Sequence, residues 1–381
     1  NIPQGYKATA LGIIPQEWKT IRLKDCFSIS AGGDVQKDCF SEAPSLQYKY
    51  PIYSNSLFNH GLYGFTSHPR HKANSITITG RGALGHAEYR EIDFDAIVRL
   101  LVLAPKIPLN GQYITEYINF RKPFFYESTG VPQLTAPQIA NIQVLFPPLG
   151  EQRKIAEVLG VWDEAIEKQA RLIEKLALRK RGLMQRLLSA KLRLPGFSEP
   201  WKIHKLQELF TERNETNRTD LPLLSITGDR GVILQTESEK RDTSNDDKSK
   251  YKRIAKGDIG YNTMRMWQGR SALSGLEGIV SPAYTIVVPN TDVDGYYMSV
   301  LFKQPRLIYD FWTHSQGLVG DTLNCKYRDF GQVHICCPPL AEQKAITEVL
   351  TAADREIELA KEKLERLRRQ KRGLMQQLLS G

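Results

Sequence analysis

Two stretches of the chain carry the same hydrophobic rhythm. In the first, Ile155, Leu159, Trp162, Ile166, Gln169, Ile173, Leu176, Lys180, Leu183 and Leu187 follow one another at spacings of four and three. In the second, Ile346, Leu350, Ala353, Ile357, Ala360, Leu364, Leu367, Lys371, Leu374 and Leu378 repeat the rhythm. A 3.5-residue period held this long predicts a helix with a coiled-coil seam. Each stretch starts after a proline pair, Pro147-Pro148 or Pro338-Pro339, and has no further proline within its seam. Proline favours extended backbone before it, so each pair marks a helix start. At 1.5 Å per residue each predicted helix is about 60 Å long. Such a stripe requires a partner, either a second copy of the chain or the other seam. Two matching seams in one chain favour the second.

The match extends beyond the seams. Residues 147–189 align without a gap to residues 338–380, and 23 of the 43 positions are identical. The chain is thus built as one globular piece and one long helix, twice. The predicted boundaries are 1–146, 147–190, 191–337 and 338–381. The second globular piece begins where the first helix ends, and it ends where the second helix begins. Parallel helices would separate those points by about 60 Å, whereas such a domain has a radius of gyration of about 14–15 Å. The helices are therefore expected to run antiparallel as an intramolecular coiled coil. A pseudo-twofold repeat and one mixed α/β domain at each end follow. Paired end to end, facing positions sum to about 533, which sets Lys371 against Trp162 and Lys180 against Ala353. The first pair would form a cation–π contact or bury a lysine stem.

The globular pieces share an opening pattern. Trp18-Lys19 and Leu23 recur as Trp201-Lys202 and Leu206, after which the pieces diverge. The scaffold is held and the globular parts differ. In the first piece short strands alternate with glycine turns. Ser75–Thr79 runs into Gly80-Arg81-Gly82-Ala83-Leu84-Gly85-His86. This fits G-x-G-x-x-G, but Ala87-Glu88-Tyr89 reads as a returning strand where a dinucleotide fold needs a helix. Either a plain turn or a glycine hairpin offering Arg81 and His86 to a phosphate or groove accounts for it. Ser54 and Asn55 sit on a nearby turn, and Arg70 and Lys72 form a second basic cluster that either meets phosphates or is a solvated face. Residues 113–120 read as a helix, Gly130 and Gln133 as part of a loop, and 142–146 as a strand.

In the second piece a strand over 223–227 leads to Arg230, and 237–252 reads as a polar surface loop. The run from Tyr261 to Arg270 gathers Asn262, Arg265, Trp267, Gln268 and Arg270. Asn and Gln suit adenine, Arg suits guanine and phosphate, and an aromatic or Met side chain suits the thymine methyl. This is either a DNA-reading loop or a surface loop with a core tryptophan. Residues 280–288 read as one buried strand. Gln316 precedes the last strand as Gly130 does in the first half.

Charge narrows the function. Lysine and arginine number 52 against 42 acidic residues, a net charge of +10 and a pI near 9.2. That excess points to a polyanionic partner, most simply nucleic acid. No apolar run reaches about 18 residues, so no membrane span is expected. No secretory leader is apparent, and Asn1 rather than Met opens the chain, which leaves room for residues before it. Cys26, Cys39, Cys325, Cys336 and Cys337 include no Cys-x-x-Cys pair and read as reduced, structural and cytoplasmic. Neither a phosphate-loop lysine nor an Asn/Asp-Pro-Pro-aromatic methyltransferase loop is present, and no histidine cluster completes a metal site. A binding scaffold is expected, with no catalytic residue, metal or cofactor of its own.

The duplicated Pro-Pro-Leu-x-Glu-Gln helix starts, the Lys-Arg-Gly-Leu-Met-Gln helix ends at 180–185 and 371–376, and segments 257–259 and 278–284 resemble the specificity subunit of type I restriction–modification systems. The resemblance covers essentially the whole chain. It implies a non-catalytic subunit with two target-recognition domains, each reading half of an asymmetric, interrupted site in double-stranded DNA. It implies two modification (methyltransferase) subunits as partners, and restriction (nuclease-translocase) subunits in the full complex. S-adenosylmethionine, ATP and Mg would then belong to those partners, and the helices would set the gap. Glu151, Gln152, Glu342 and Gln343 are expected on outward faces that dock the partners. The alternatives are a specificity subunit of a type II-like combined enzyme and a coiled-coil assembly protein without DNA function.

Overall fold

The computed structural model describes residues 2–121, 132–228, 230–238, 246–317 and 323–381. The two seams form helices Leu149–Leu187 and Leu340–Leu378, each starting directly after its proline pair. Every seam position is buried or half-buried, with Leu159 and Leu350 at 0% exposure. Burying one such leucine contributes about 1.5–3 kcal/mol.

The chain divides into two compact units, residues 1–172 with 360–381, and residues 173–359. Each unit combines one globular piece with a segment of both long helices. In the first, Ile155, Ala156 and Leu159 from the start of one helix join a core with Leu374, Met375, Leu378 and Leu379 from the end of the other. In the second, Leu187 and Leu188 from a helix end share a core with Ile346 and Leu350 from a helix start. Within each unit the two helix segments therefore run antiparallel.

At the expected facing pairs each lysine ammonium meets the carboxylate of the adjoining residue, and the Lys371 side chain is 12% exposed, as the buried-stem reading expects. In the first unit Lys371 Nζ meets Asp163, at 2.7 Å to either carboxylate oxygen, rather than the Trp162 ring, and it also donates to Glu116 at 2.8 Å. In the second, Lys180 Nζ meets Asp354 at 2.5 Å rather than Ala353. An ammonium prefers a carboxylate to an aromatic face, and one residue further along each helix supplies one. Tyr296 Oη completes the second group by donating to Asp354 at 2.6 Å.

The globular pieces share one sheet plan. In the first unit a four-stranded antiparallel sheet runs in the order Phe27–Ala31, Leu100–Pro105, Ser75–Thr79, Ala87–Arg90. In the second the order is Phe210–Glu212, Tyr284–Pro289, Ile259–Asn262, Ser271–Leu273. Both place the first, fourth, second and third strands side by side. Ser75–Thr79 is buried at every position, as a β-branched central strand covered on both faces should be. A two-stranded ribbon flanks each sheet, Lys19–Arg22 with Gln143–Phe146 and Lys202–Lys205 with His334–Cys337.

The plans diverge between the first and second strands. There the first unit carries Phe40–Ser41, Tyr50–Tyr53 and Leu62–Thr66, paired in a sheet with Asp95–Ala96. In the second unit, Leu224–Ile226 pairs with Val232–Leu234, and Lys252–Ile254 with Gly278–Val280. The strand expected over 280–288 is in fact two, Gly278–Val280 and Tyr284–Pro289, in different sheets. Ser281-Pro282-Ala283 breaks it, because proline has no N–H for a ladder. The helix read over 113–120 spans Gly111–Arg121. Part of the polar stretch 237–252 lies outside the described residues.

Candidate nucleic-acid interface

The two loops singled out by composition occupy the same place. Residues 80–86 join the second and third strands of the first sheet, and residues 263–270 join the second and third strands of the second. The backbone around them matches. Leu134 N–H donates to Gly80 O at 2.9 Å, and Cys325 N–H donates to Thr263 O at 2.8 Å. Both loops use left-handed glycines, Gly82 and Gly85 at φ +75° and +77° and Gly269 at +71°. Gly80 also has no room for a side chain, since a Cβ would lie 2.4 Å from Arg99 O.

In the second unit Asn262, Arg265 and Arg270 line a cleft of about 330 Å³ with Ile226, Thr227 and Tyr284. Both arginines are exposed, and neither meets a carboxylate among the described residues. Asn262 accepts from Met264 N–H at 3.0 Å through its side-chain oxygen, which leaves its amide nitrogen as a donor. The oxygen keeps a second lone pair, so both ends of the amide remain for a base edge. Gln268 and Arg270 line an adjoining cleft of about 480 Å³ with Lys303. Trp267 is half-buried and donates to Met264 O at 3.0 Å, so its polar edge stabilises the loop itself. Arg230 is drawn off the cleft by Glu237, whose carbonyl accepts its Nη1 at 3.0 Å. Gln316 pairs with Asn324 through two backbone hydrogen bonds, and its side chain reaches Asp329 at 3.5 Å.

The first unit offers less free charge. Arg81 is exposed and, among the described residues, has no ion pair. His86 Nε2 is 3.0 Å from Glu88, which His60 Nδ1 also approaches at 3.2 Å. Burial would raise the Glu88 carboxyl, but the bond with His86 and the Arg90 and His60 charges outweigh it and hold it below the ordinary carboxylate value. Several residues expected at the interface have partners within the fold. Arg70 Nε donates at 2.7 Å to Asp95, whose side chain is 3% exposed. Lys72 pairs with Asp93 at 3.0 Å. Ser54 Oγ donates to Gly61 O, and Asn55 Oδ1 accepts from Gly80 N–H at 2.8 Å, which braces the glycine loop. Gln133 accepts from Arg99. Gly130 lies outside the described residues.

The four polar residues at the helix starts do not form an outward face. Glu151 is half-buried, and Gln152, Glu342 and Gln343 are 0%, 1% and 2% exposed. Gln152 Oε1 accepts from Asn110 N–H at 2.9 Å while its Nε2 donates to Pro147 O at 2.8 Å. Gln343 repeats both bonds, with Asp294 N–H and Pro338 O. Trp18 Nε1 donates to Glu151, and Trp201 Nε1 donates to Glu342, which Arg193 also grips at 2.6 and 2.7 Å. The Glu-Gln pair thus fastens each helix start to its own globular piece. Polar type alone suggested exposure; a satisfied partner set permits burial.

Three cations near the second loop carried no sequence signal, namely Lys303, Lys326 and Arg328. They are scattered singly, and only the fold gathers them beside residues 263–270. Among the described residues no group of three or more His, Cys, Asp or Glu side chains is placed to hold a metal. All five cysteines are free, and burial pushes the Cys26, Cys325 and Cys337 thiols up to about 11, 12 and 11, as suits inert core thiols. No helix among the described residues is long and apolar enough to cross a membrane.

Residues 15–177 match the family model of the type I restriction modification DNA specificity domain. A Mycoplasma pneumoniae protein described as a type I specificity subunit is 33% identical over 145 residues, 38% of this chain and 39% of that protein. The specificity subunit of the Methanocaldococcus jannaschii type I restriction enzyme MjaVIII is 22% identical over 413 residues, covering 97% of this chain and 93% of that protein. The crystal structure of an M. genitalium type I restriction–modification S subunit shares the fold, with a TM-score of 0.60 and 15% identity over 95% of this chain and 96% of that one.

Proposed function

We propose that the chain is a specificity subunit of the type I restriction–modification kind, the family its residues 15–177 match, and that its two loops, 80–86 and 263–270, read the two halves of a bipartite site in double-stranded DNA. One observation carries this reading: unlike sequences sit at the same point of the same sheet plan in both units. A repeated scaffold with divergent loops suits two unlike half-sites. Arg81 in one loop, and Asn262, Arg265 and Arg270 in the other, are the donors that would meet base edges. The paired long helices set the gap between the half-sites. Their solvent faces dock two modification subunits, and restriction subunits join the full complex. The chain performs no chemistry itself; S-adenosylmethionine, ATP and Mg act in those partners.

The test is the methylated motif of cells carrying this subunit with its modification partner. Arg81→Ala should relax the motif in one half only, and Arg265→Ala with Arg270→Ala in the other half only. An unchanged motif, with both variants assembled in the complex, would overturn the assignment of these loops.

A further inference from the structure

Lys326 and Arg328 lie beside the second reading loop, not within it. Gln316, Asn324, Lys326, Arg328 and Asp329 line a cleft of about 460 Å³. A second cleft, of about 550 Å³, shares Asn324, Lys326 and Arg328 and continues to Thr263 and Met264 of the loop. The hydrogen bond from Cys325 N–H to Thr263 O, 2.8 Å, ties the two segments together. Both Lys326 and Arg328 are exposed, and neither has a carboxylate partner among the described residues. The two carboxylates in these walls are engaged by neighbours in the same walls. Glu212 lies 3.7 Å from Lys252, and Asp329 accepts from Gln316.

The corresponding positions of the first unit carry no cations. Its last strand, Gln143–Phe146, corresponds to His334–Cys337, an offset of 191. The same offset sets Leu134 against Cys325, whose N–H groups donate to Gly80 O and Thr263 O at the start of the two loops. Lys326 and Arg328 then correspond to Thr135 and Pro137. The two cations are thus an addition in one unit and no part of the shared scaffold.

We propose that Lys326 and Arg328 form a phosphate anchor, which grips the DNA backbone beside the half-site read by 263–270 and is not repeated at the corresponding Thr135 and Pro137 of the first unit. It presupposes that the second unit engages DNA. Point charges without fixed hydrogen-bond partners suit phosphates, which position a protein on the duplex without specifying sequence. The anchor makes the second half-site the more salt-sensitive of the two.

The experiment measures duplex affinity against salt for the subunit assembled with its modification partners. Lys326→Ala with Arg328→Ala should weaken binding alike on matched and mismatched second half-sites. It should reduce the slope of log affinity against log salt by about 2 and leave the methylated motif unchanged. Lys326→Arg with Arg328→Lys should keep the wild-type slope, which separates charge from folding. An unchanged slope in the alanine variant, or a changed base preference with the slope intact, would overturn the anchor. Wild-type complex that discriminates half-sites while the alanine variant matches its slope sinks the anchor alone. Wild-type complex indifferent to the second half-site sinks the DNA reading, and the anchor with it.

Discussion

The indole nitrogen of Trp18 donates to Glu151 at 2.9 Å across 133 residues of sequence. Trp201 and Glu342 repeat the bond at 3.2 Å. These contacts, with the two glutamines beside them, explain why the helix starts are duplicated so closely. Each motif must satisfy the same buried backbone groups in its own unit.

Removing those bonds should cost stability. Gln343→Leu keeps the volume but leaves Asp294 N–H without its acceptor. A buried unsatisfied donor costs about 1–3 kcal/mol. Gln152→Leu should behave alike at Asn110. Denaturant midpoints measure this, and two neutral substitutions would show that the bonds contribute nothing.

The Lys371 group should make stability depend on pH. Burial raises the Glu116 carboxyl above its ordinary value, while the Lys371 charge pulls it down. A carboxyl raised in the folded state stabilises fully below its unfolded value, near 4.5, and loses that contribution as pH rises through the folded value. Lys371→Met removes the compensating charge from two buried or half-buried carboxylates. Breaking such a pair costs about 3–5 kcal/mol. The loss should be larger at pH 7 than at pH 5, where Glu116 is more readily protonated. An equal loss at both values would mean that Lys371 acts through its stem alone.

Arg70 separates structural from DNA-facing charge. Its partner Asp95 is almost fully buried, so Arg70→Ala should lower the first unit's unfolding midpoint. The salt slope of DNA binding should not change. A slope reduced by about 1 would return Arg70 to the interface.

Gly80 tests the first loop through its backbone. Gly80→Ala drives a Cβ against Arg99 O, and the loop must shift to relieve it. Strain at a close backbone approach typically costs about 1–3 kcal/mol. Recognition of one half-site should weaken while the other is unchanged, as read from the methylated motif. Equal weakening of both halves would indicate a general folding defect.

The long helices were legible in the chain because helical periodicity and proline placement act within a few residues, and their antiparallel pairing because one compact domain must join the end of one helix to the start of the other. The loops 80–86 and 263–270 were legible as unusual compositions, but their equivalence was not, since sheet order links strands far apart. Arg70 and Lys72 looked like free cations until Asp95 and Asp93 were brought to them. Glu151, Gln152, Glu342 and Gln343 looked like surface residues until the ribbons and short helices closed over them. Lys326 and Arg328 had no pattern around them. A side chain's periodicity is a property of its neighbours in sequence, and the sequence alone determines it. Whether a charge is spent or free depends on a group within about 3 Å, which only the tertiary structure supplies.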